Sequence, residues 1–296
     1  MTEVKEDLKR EKVRIVEISK IKDFPNHPFL VKDDESMAQL VNSIRMNGVL
    51  NPVIARRIDD DHYELISGHR RKHACILLGI ERIPLIGREI SREEAIIEMV
   101  DSNLQREFIL PSEKARAYKM KMDAMRRQGK RTDLTSPPMV EKLNGKEALS
   151  ATKIGIEAGD SHEQVRRYIR LTELTPELLE FVDQGKIGMR PAVELSYLQE
   201  DEMRDLVDLI DDEEVFPSHA QTIRMKALSK EGKLDADAIR EIMHEEKPNQ
   251  KPRIKIPMER IERYFPLGTS QQQMEDIIVK ALAMYHQRQR ANRDAR

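Results

Sequence analysis

The chain has 296 residues, enough for about two domains of ordinary size, and 39% of them are hydrophobic. A net charge of −2 excludes a uniformly basic nucleic-acid coat, so any DNA binding must come from local patches. A single cysteine excludes a disulfide framework and a cysteine-type zinc site. No stretch reaches the roughly 18 apolar residues of a membrane span, and the charged start is unlike a signal peptide, so we expect a cytoplasmic protein.

The first part of the chain follows a polar arm at residues 1–12 and carries both strand and helix signals. Alternating apolar residues and turn signals predict four strands, at Val13–Ile18, Pro52–Arg57, Tyr63–Ile66 and Arg82–Ile86. Three helices are predicted as well, at Ser36–Met46, His69–Leu78 and Ser91–Asn103. Ser36 is the predicted cap of the first helix, and Ser91 with Glu94 forms a capping box at the start of the third. Residues 13–110 are therefore predicted to form an α+β domain.

From Pro111 onward the strand signals vanish, so we expect an all-α domain at residues 111–243. Its predicted helices lie at 111–127, 151–158, 161–171, 176–184, 190–198, 200–211 and 217–230, with a loop or poor helix at 129–145. A polar linker at 244–252 precedes a C-terminal helical tail at 253–296. The last helix of the tail begins near Ser270 and has an apolar stripe, which either pairs two subunits or packs on the chain itself.

A first basic box lies at a strand-to-helix turn. Gly68 lets the backbone approach a ligand closely, and the unpaired amides of a helix start bind anions. Arg70 and Arg71 add guanidinium groups, which fork onto two phosphate oxygens. The pattern indicates a phosphate cradle, and the alternative is ordinary surface charge at the start of a helix.

A second polar box ends the third predicted helix about thirty residues later. The carbonyl oxygen of Asn103 suits a hydrated magnesium ion, so Asn103 is the candidate metal ligand. Gln105 and Arg106 follow it and have the reach to contact a phosphate or a sugar. The alternative is a polar helix end that is capped by the asparagine.

Residues 150–171 have the pattern of a helix-turn-helix. Ser150 is placed to cap one helix, Ala158-Gly159-Asp160 supplies the turn, and Ser161 caps the next helix. The candidate DNA contacts on that second helix are Ser161, His162, Gln164, Arg166, Arg167 and Arg170. Glutamine reads adenine and arginine reads guanine in the major groove, whereas Arg167 and Arg170 are better placed for phosphates. The same pattern also occurs in purely structural helical bundles.

Taken together, these motifs resemble the ParB family of chromosome and plasmid partition proteins. The resemblance covers about residues 13–200 in the family's order. It rests on Asn26-His27-Pro28-Phe29, Ser36 to Ile54, Gly68 to Ala74, Ser102 to Glu107, Ser161 to Leu171, Leu174-Thr175-Pro176 and Gly185-Lys186-Ile187. It implies an N-terminal domain of the ParB and sulfiredoxin fold class, followed by a helix-turn-helix domain.

The resemblance also implies a mechanism. Such proteins bind CTP with Mg²⁺ through the N-terminal boxes, read a palindromic site and close into a clamp on DNA. Gly68, His69, Arg70, Arg71, Asn103, Gln105 and Arg106 are the residues that the resemblance assigns to this nucleotide site. Partners are then double-stranded DNA and a ParA-type ATPase, and the location is the nucleoid. We also expect a homodimer, because palindromic sites pair two half-sites.

The chain departs from the family pattern at two positions. His69 replaces the acidic residue of the first box, and Ser102 replaces the glutamate of the second. Asp101 lies one position earlier and needs a register shift to substitute for that glutamate. In relatives these carboxylates support metal binding and hydrolysis, so the sequence leaves open whether CTP is bound without turnover, weakly hydrolysed or not bound.

Two other functions are compatible with the same motifs. A ParB-like transcription regulator or nucleoid-occlusion factor uses the same apparatus for another purpose. A sulfiredoxin-like or serine-kinase-like enzyme shares the N-terminal fold class, but sulfiredoxin chemistry needs a cysteine directly before the histidine, where this chain has Gly68. Cys75 lies on an apolar helix face and is predicted to be a core residue.

Overall fold

The structure is a computed structural model. It describes residues 12–106, 108–132, 143–245, 261–266 and 269–294. Within these ranges, the side chains of 129–132, 143–149, 262, 271–272 and 286–294 are not described. The chain divides into two compact units, Met1–Glu245 and Glu246–Arg296, and each is described by itself. No helix in the described ranges has both the length and the apolar character that a membrane crossing demands.

A five-stranded sheet organises the first part of the larger unit. Its strands are β1 Val13–Glu17, β2 Ile21–Lys22, β3 Val53–Arg57, β4 Tyr63–Ser67 and β5 Arg82–Arg88. They lie in the order β1-β5-β3-β4-β2. The pairs β1–β5 and β3–β4 are antiparallel, whereas β5–β3 and β4–β2 are parallel. The four predicted strands are confirmed, and β2 is an addition that is too short to leave an alternation signal.

Three helices pack on this sheet, α1 Glu35–Asn47, α2 His69–Leu77 and α3 Arg92–Leu104. The Ser91–Glu94 capping box of α3 is present as predicted. The predicted cap of α1 is wrong, because the Asp34 carboxylate accepts the Met37 amide hydrogen at 2.9 Å. Ser36 lies inside the helix instead, where its hydroxyl accepts a hydrogen bond from Arg70.

The sheet is buried on both faces. Leu65 packs on one face with Val53 of β3 and with Ala74 and Cys75 of α2, so Cys75 is a core residue as predicted. Ile66 points to the opposite face, because successive residues of a strand alternate, and there it joins a cluster with α3 and with Phe24 and Phe29. Gly68, the start of α2 and the end of α3 are thereby held by a packed core.

In the rest of the larger unit the described residues form helices and no strand, as predicted. They are α4 Pro111–Thr132, α5 Leu143–Ala158, α6 His162–Arg170, α7 Pro176–Asp183, α8 Met189–Leu195, α9 Glu200–Glu213, α10 His219–Lys230 and α11 Ala236–His244. The predicted loop at 129–145 is helical at both ends, and residues 133–142 lie outside the described residues. Helix α11 was not predicted, although Asp235 caps it and Ile239, Ile242 and Met243 form its buried face.

The described residues of the smaller unit include the long helix α12 Gln271–Asp294, which begins where the last helix was predicted. Ile277, Val279 and Leu282 are exposed on it. The predicted linker at 244–252 lies outside the described residues from residue 246 onward.

Candidate functional site

The start of α2 follows directly from strand β4 through Gly68. Gly68 has a φ of 107°, and a Cβ atom there would lie 2.7 Å from the Val53 Cγ1 atom. Both the left-handed backbone and the close approach therefore require glycine. Gly68 is also the N-cap of α2 and supplies no side-chain acceptor to the first amides of the helix. Such amides attract anions, because they carry the positive end of the helix dipole.

The two arginines of the first box have different roles in the structure. The Arg71 guanidinium donates to the Asn51 and Pro52 carbonyl oxygens at 2.6 and 2.7 Å, and burial lowers the pKa of Arg71. Arg71 therefore ties α2 to the chain that enters β3. Arg70 contacts the Ser36 hydroxyl and keeps its guanidinium at the surface. Of the two, Arg70 is better placed to meet a ligand.

The second box ends α3 close to the first. Burial lowers the pKa of Arg106, Arg70 lowers it further and Glu113 opposes this, so the two guanidinium groups share one electrostatic environment. The Arg106 guanidinium also lies 5.3 Å from the centre of the Phe29 ring. Gln105 is exposed at the end of the helix. The structure thus brings Arg70 and Arg106 together at the start of α2.

Asn103 and Asp101 are both engaged within the fold. Asn103 is buried, and its amide donates to the Met99 carbonyl oxygen at 2.8 Å. The Asp101 carboxylate binds the Lys121 ammonium on α4, so it does not replace the glutamate that Ser102 lacks. Among the described residues no three His, Cys, Asp or Glu side chains cluster in a way that holds a metal ion. The magnesium role of Asn103 stays a prediction, and no step below depends on that ion.

A pair of histidines completes this region, and only one of them was predicted as a site residue. The rings of His27 and His69 are stacked, with centroids 3.6 Å apart and an angle of 33° between their planes. Burial, the largest cause, lowers the pKa of His27, and it lowers that of His69 to about 3. The Nε2 atoms of both rings are buried without a hydrogen-bond partner. His27 belongs to the first family-like segment, but nothing in the sequence indicates that it meets His69.

Helices α5 and α6 are joined by a tight turn at the predicted position. A Cβ atom on Gly155 would lie 2.4 Å from the Asp160 carbonyl oxygen, so the turn closes directly on α5. The Asp160 carboxylate accepts hydrogen bonds from the Tyr118 hydroxyl at 2.6 Å and from the Lys114 ammonium at 2.7 Å. Because both donors lie on α4, this long helix fixes the angle between α5 and α6.

The predicted DNA contacts of α6 separate into three groups. Ser161 and Gln164 form a capping box, in which the Gln164 side chain accepts the Ser161 amide hydrogen at 3.0 Å. His162, Arg166 and Arg167 are exposed, and Arg167 lies 3.7 Å from the Glu163 carboxylate. Arg170 points elsewhere, because its guanidinium donates to the Ser196 hydroxyl and carbonyl oxygens and lies 4.1 Å from the Tyr197 ring centre.

The structure thus consists of an α+β domain with two arginines at a helix start, followed by helices of which α6 presents an exposed polar face. Residues 2–104 match the family model of the ParB N-terminal domain. This part of the chain thus resembles the ParB N-terminal domain, and the resemblance seen in the motifs is confirmed.

Relatives of known function agree with this match. The nucleoid occlusion protein of Listeria innocua serovar 6a is 30% identical over 64% of this chain and 60% of its own length. The stage 0 sporulation protein J of Bacillus subtilis strain 168 is 30% identical over 62% of this chain and 57% of its own. The chain spans about 60% of the length of the curated relatives that it matches first.

Solved structures of ParB proteins are more distant. The truncated ParB of Caulobacter crescentus complexed to the centromeric parS site is 20% identical, over 74% of this chain and 99% of that one, with a TM-score of 0.41. The same protein complexed with CTP-γ-S is 23% identical, over 68% of this chain and 99% of that one, with a TM-score of 0.30.

Proposed function

We propose that this chain is a DNA-binding partition protein of the ParB type, which reads a palindromic site as a homodimer and uses CTP to control its hold on DNA. The family match, the helix-turn-helix arrangement of α5 and α6 and the cationic start of α2 support the proposal. Two copies of α6 double the contacts that one short helix makes, so dimerisation supplies both affinity and half-site spacing.

One observation carries the DNA-binding part of this proposal. Val165 is fully buried in α6, whereas His162, Gln164, Arg166 and Arg167 are exposed. A recognition helix needs this division, because one face must anchor it and the other must enter the major groove. Arg166 is assigned to a base edge and Arg167 to a phosphate, whereas the Gln164 side-chain oxygen is engaged in the capping box of α6. Arg170 holds α6 on Ser196, so its contribution to DNA binding is positional.

The experiment is a selection of DNA fragments by the purified protein, followed by affinity measurements on the selected sequence. We expect Arg166→Ala to weaken binding about 10- to 100-fold and to relax selectivity, because a base contact is worth about 1–3 kcal/mol. Arg240→Ala is the matched control, since Arg240 is an exposed arginine on α11. Equal affinities for the two variants would contradict the assignment of α6.

The nucleotide-binding part of the proposal rests on the cationic start of α2. Its amides lack a side-chain cap at Gly68, and Arg70 and Arg106 supply two guanidinium groups beside them. A triphosphate matches this charge, and the family resemblance points to CTP. Arg71 is assigned a positioning role, because its guanidinium is bound to two backbone carbonyl oxygens. Because His69 and Ser102 replace acidic residues, we propose that the chain retains nucleotide binding even where it has lost nucleotide hydrolysis.

Nucleoid occlusion is the second candidate function, and the identity to the Listeria innocua protein of that name favours it. The two functions predict different defects in a cell from which the gene has been deleted. Partition predicts daughter cells that lack the replicon, together with a ParA-type ATPase partner. Occlusion predicts division septa that form over the nucleoid while the replicon is inherited normally. Microscopy of labelled replicons and septa in a deletion strain separates them.

A further inference from the structure

The His27–His69 pair has unused hydrogen-bonding capacity inside the fold. His69 is 9% exposed at the first position of α2, and the two rings are stacked. The His27 Nδ1 atom lies 2.7 Å from the Phe29 carbonyl oxygen, so it carries the proton and leaves a lone pair on Nε2 of the neutral ring. Neither Nε2 atom has a partner, and buried polar atoms of folded proteins are nearly always satisfied by protein, water or ligand.

The charges around the pair come from every neighbouring element. Asp23 follows β2 and is bound to Lys72 of α2 at 2.8 Å. Glu113 of α4 accepts hydrogen bonds from the Leu30 and Leu110 amides. Both carboxylates are therefore already engaged, and the other charged group that acts on both rings is Arg106 after α3, which itself interacts with Arg70 of α2. Burial is the main reason that the rings are neutral, and Lys72 and Arg106 add to it while Asp23 opposes it. Because both carboxylates are engaged, the Arg106 guanidinium is left to attract an anion to this region.

An anion in this position reverses the electrostatic balance. Its negative charge favours the protonated form of a nearby imidazole, just as a neighbouring carboxylate does. A protonated ring donates from Nε2, so it both satisfies the buried atom and binds a phosphate oxygen. A carboxylate at position 69, as in relatives with an acidic residue there, would repel the same phosphate.

We propose that the His27–His69 pair is a proton-linked part of the phosphate site: when a nucleotide binds beside Arg70 and Arg106, the pair takes up a proton from solvent. The proposal rests on the nucleotide-binding part of the proposed function and adds its regulation. Because binding and protonation are linked, nucleotide affinity rises as pH falls. The proton comes from the buffer and returns to it when the nucleotide leaves.

Titration calorimetry with CTP, in buffers of different ionisation enthalpy, counts the protons taken up. His62→Gln is the matched control, because His62 is a surface histidine on the β3–β4 turn. We expect the wild type and this control to take up about half to one proton more per CTP at pH 6.5 than the His27→Gln/His69→Gln variant, and subtraction cancels the titration of CTP itself. Thermal unfolding establishes that the variants are folded.

Histidine-ring NMR of the unaltered protein gives a second readout. CTP should move an Nε2 resonance of the pair towards the protonated range. Binding of CTP with equal proton counts in all three proteins and unmoved ring signals would overturn the linkage and leave the nucleotide site intact. An absence of CTP binding in every protein, with DNA binding retained, would overturn both the linkage and the nucleotide part of the proposed function.

Discussion

His69 shows how one residue changes the electrostatics of a family-like site. The sequence places a histidine where the ParB family has an acidic side chain, but sequence alone does not give its charge. The fold buries the ring at the start of α2 against His27, and this lowers its pKa to about 3. A neutral imidazole therefore occupies the position at pH 7, and it neither repels a phosphate nor acts as a carboxylate.

A dependence of stability on pH follows from this burial. Because the pKa of His69 is about 3 in the folded state and ordinarily 6.5, the unfolded chain binds more protons between those values. The contribution of the neutral His69 ring to the stability of the fold is therefore fully present above about pH 6.5 and is lost as the pH decreases towards 3. The free energy of unfolding of the wild type should decrease between pH 7 and pH 5. We expect this decrease to be smaller by roughly 2 kcal/mol in His69→Gln.

Denaturant titrations of the ligand-free protein at the two pH values measure this effect. His62→Gln serves as the control, because that side chain lies at the surface. A pH dependence in His69→Gln as steep as in the wild type would show that the ring is not buried in the neutral form.

The different roles of Arg70 and Arg71 could not be predicted from the sequence. Neighbouring arginines in one helix turn look equivalent in a sequence. Their difference depends on Asn51 and Pro52, whose carbonyl oxygens bind the Arg71 guanidinium from about twenty residues away. The sequence therefore predicts the basic box, but it does not show that Arg70 and Arg71 have different contacts.

Among the elements, the turn between α5 and α6 has the most restrictive packing. Gly155→Ala places a methyl group 2.4 Å from the Asp160 carbonyl oxygen, which belongs to the backbone and cannot move aside cheaply. We expect a loss of about 1–3 kcal/mol in unfolding free energy and a weakening of DNA binding, because overpacking displaces α6. Thermal unfolding and DNA titration measure the two effects.

Gly188→Ala is the matched control for that substitution. Its added methyl group meets only the Pro191 Cδ atom, at an ordinary 3.8 Å. The two variants should therefore differ clearly in both stability and DNA affinity. If Gly155→Ala bound DNA and unfolded like Gly188→Ala, the close α5–α6 turn would not hold in solution.

Elements with local signals were predicted well. The Ser91–Glu94 box and the alternating strands β3 and β4 depend on residues a few positions apart, so a sequence shows them. Strand β2 has two residues and pairs in parallel with β4, which no local pattern indicates. The cap of α1 was misplaced because Asp34 and Ser36 are both good caps, and only the backbone shows that Asp34 performs the task.

Lys121 links the two candidate sites at the scale of the larger unit. Its side chain is 1% exposed, and its ammonium contacts Asp101 on α3 and Glu157 on α5. Helix α3 ends in the second box, and α5 is the first helix of the proposed helix-turn-helix. Because the three residues are far apart in the sequence, charge pattern alone did not reveal this junction.

We expect Lys121→Met to lower the unfolding free energy by about 1–3 kcal/mol, because the two carboxylates lose their shared cation but remain partly solvated. It should also reduce the effect of CTP on DNA binding more than it reduces DNA affinity itself. Lys119→Met is the control, since that lysine forms an exposed pair with Glu173. A full CTP effect in Lys121→Met would exclude the junction as a route of coupling.

At the scale of the whole molecule, we propose that a nucleotide at the start of α2 controls how long the protein stays on DNA. The most direct measurement is the lifetime of the protein on its selected DNA, blocked at both ends, with CTP, with each other nucleotide and without nucleotide. We expect CTP alone to prolong the lifetime, open ends to abolish the gain, and Arg106→Ala to remove it while Arg82→Ala, an exposed arginine on β5, does not. A lifetime that no nucleotide changes would contradict the claim.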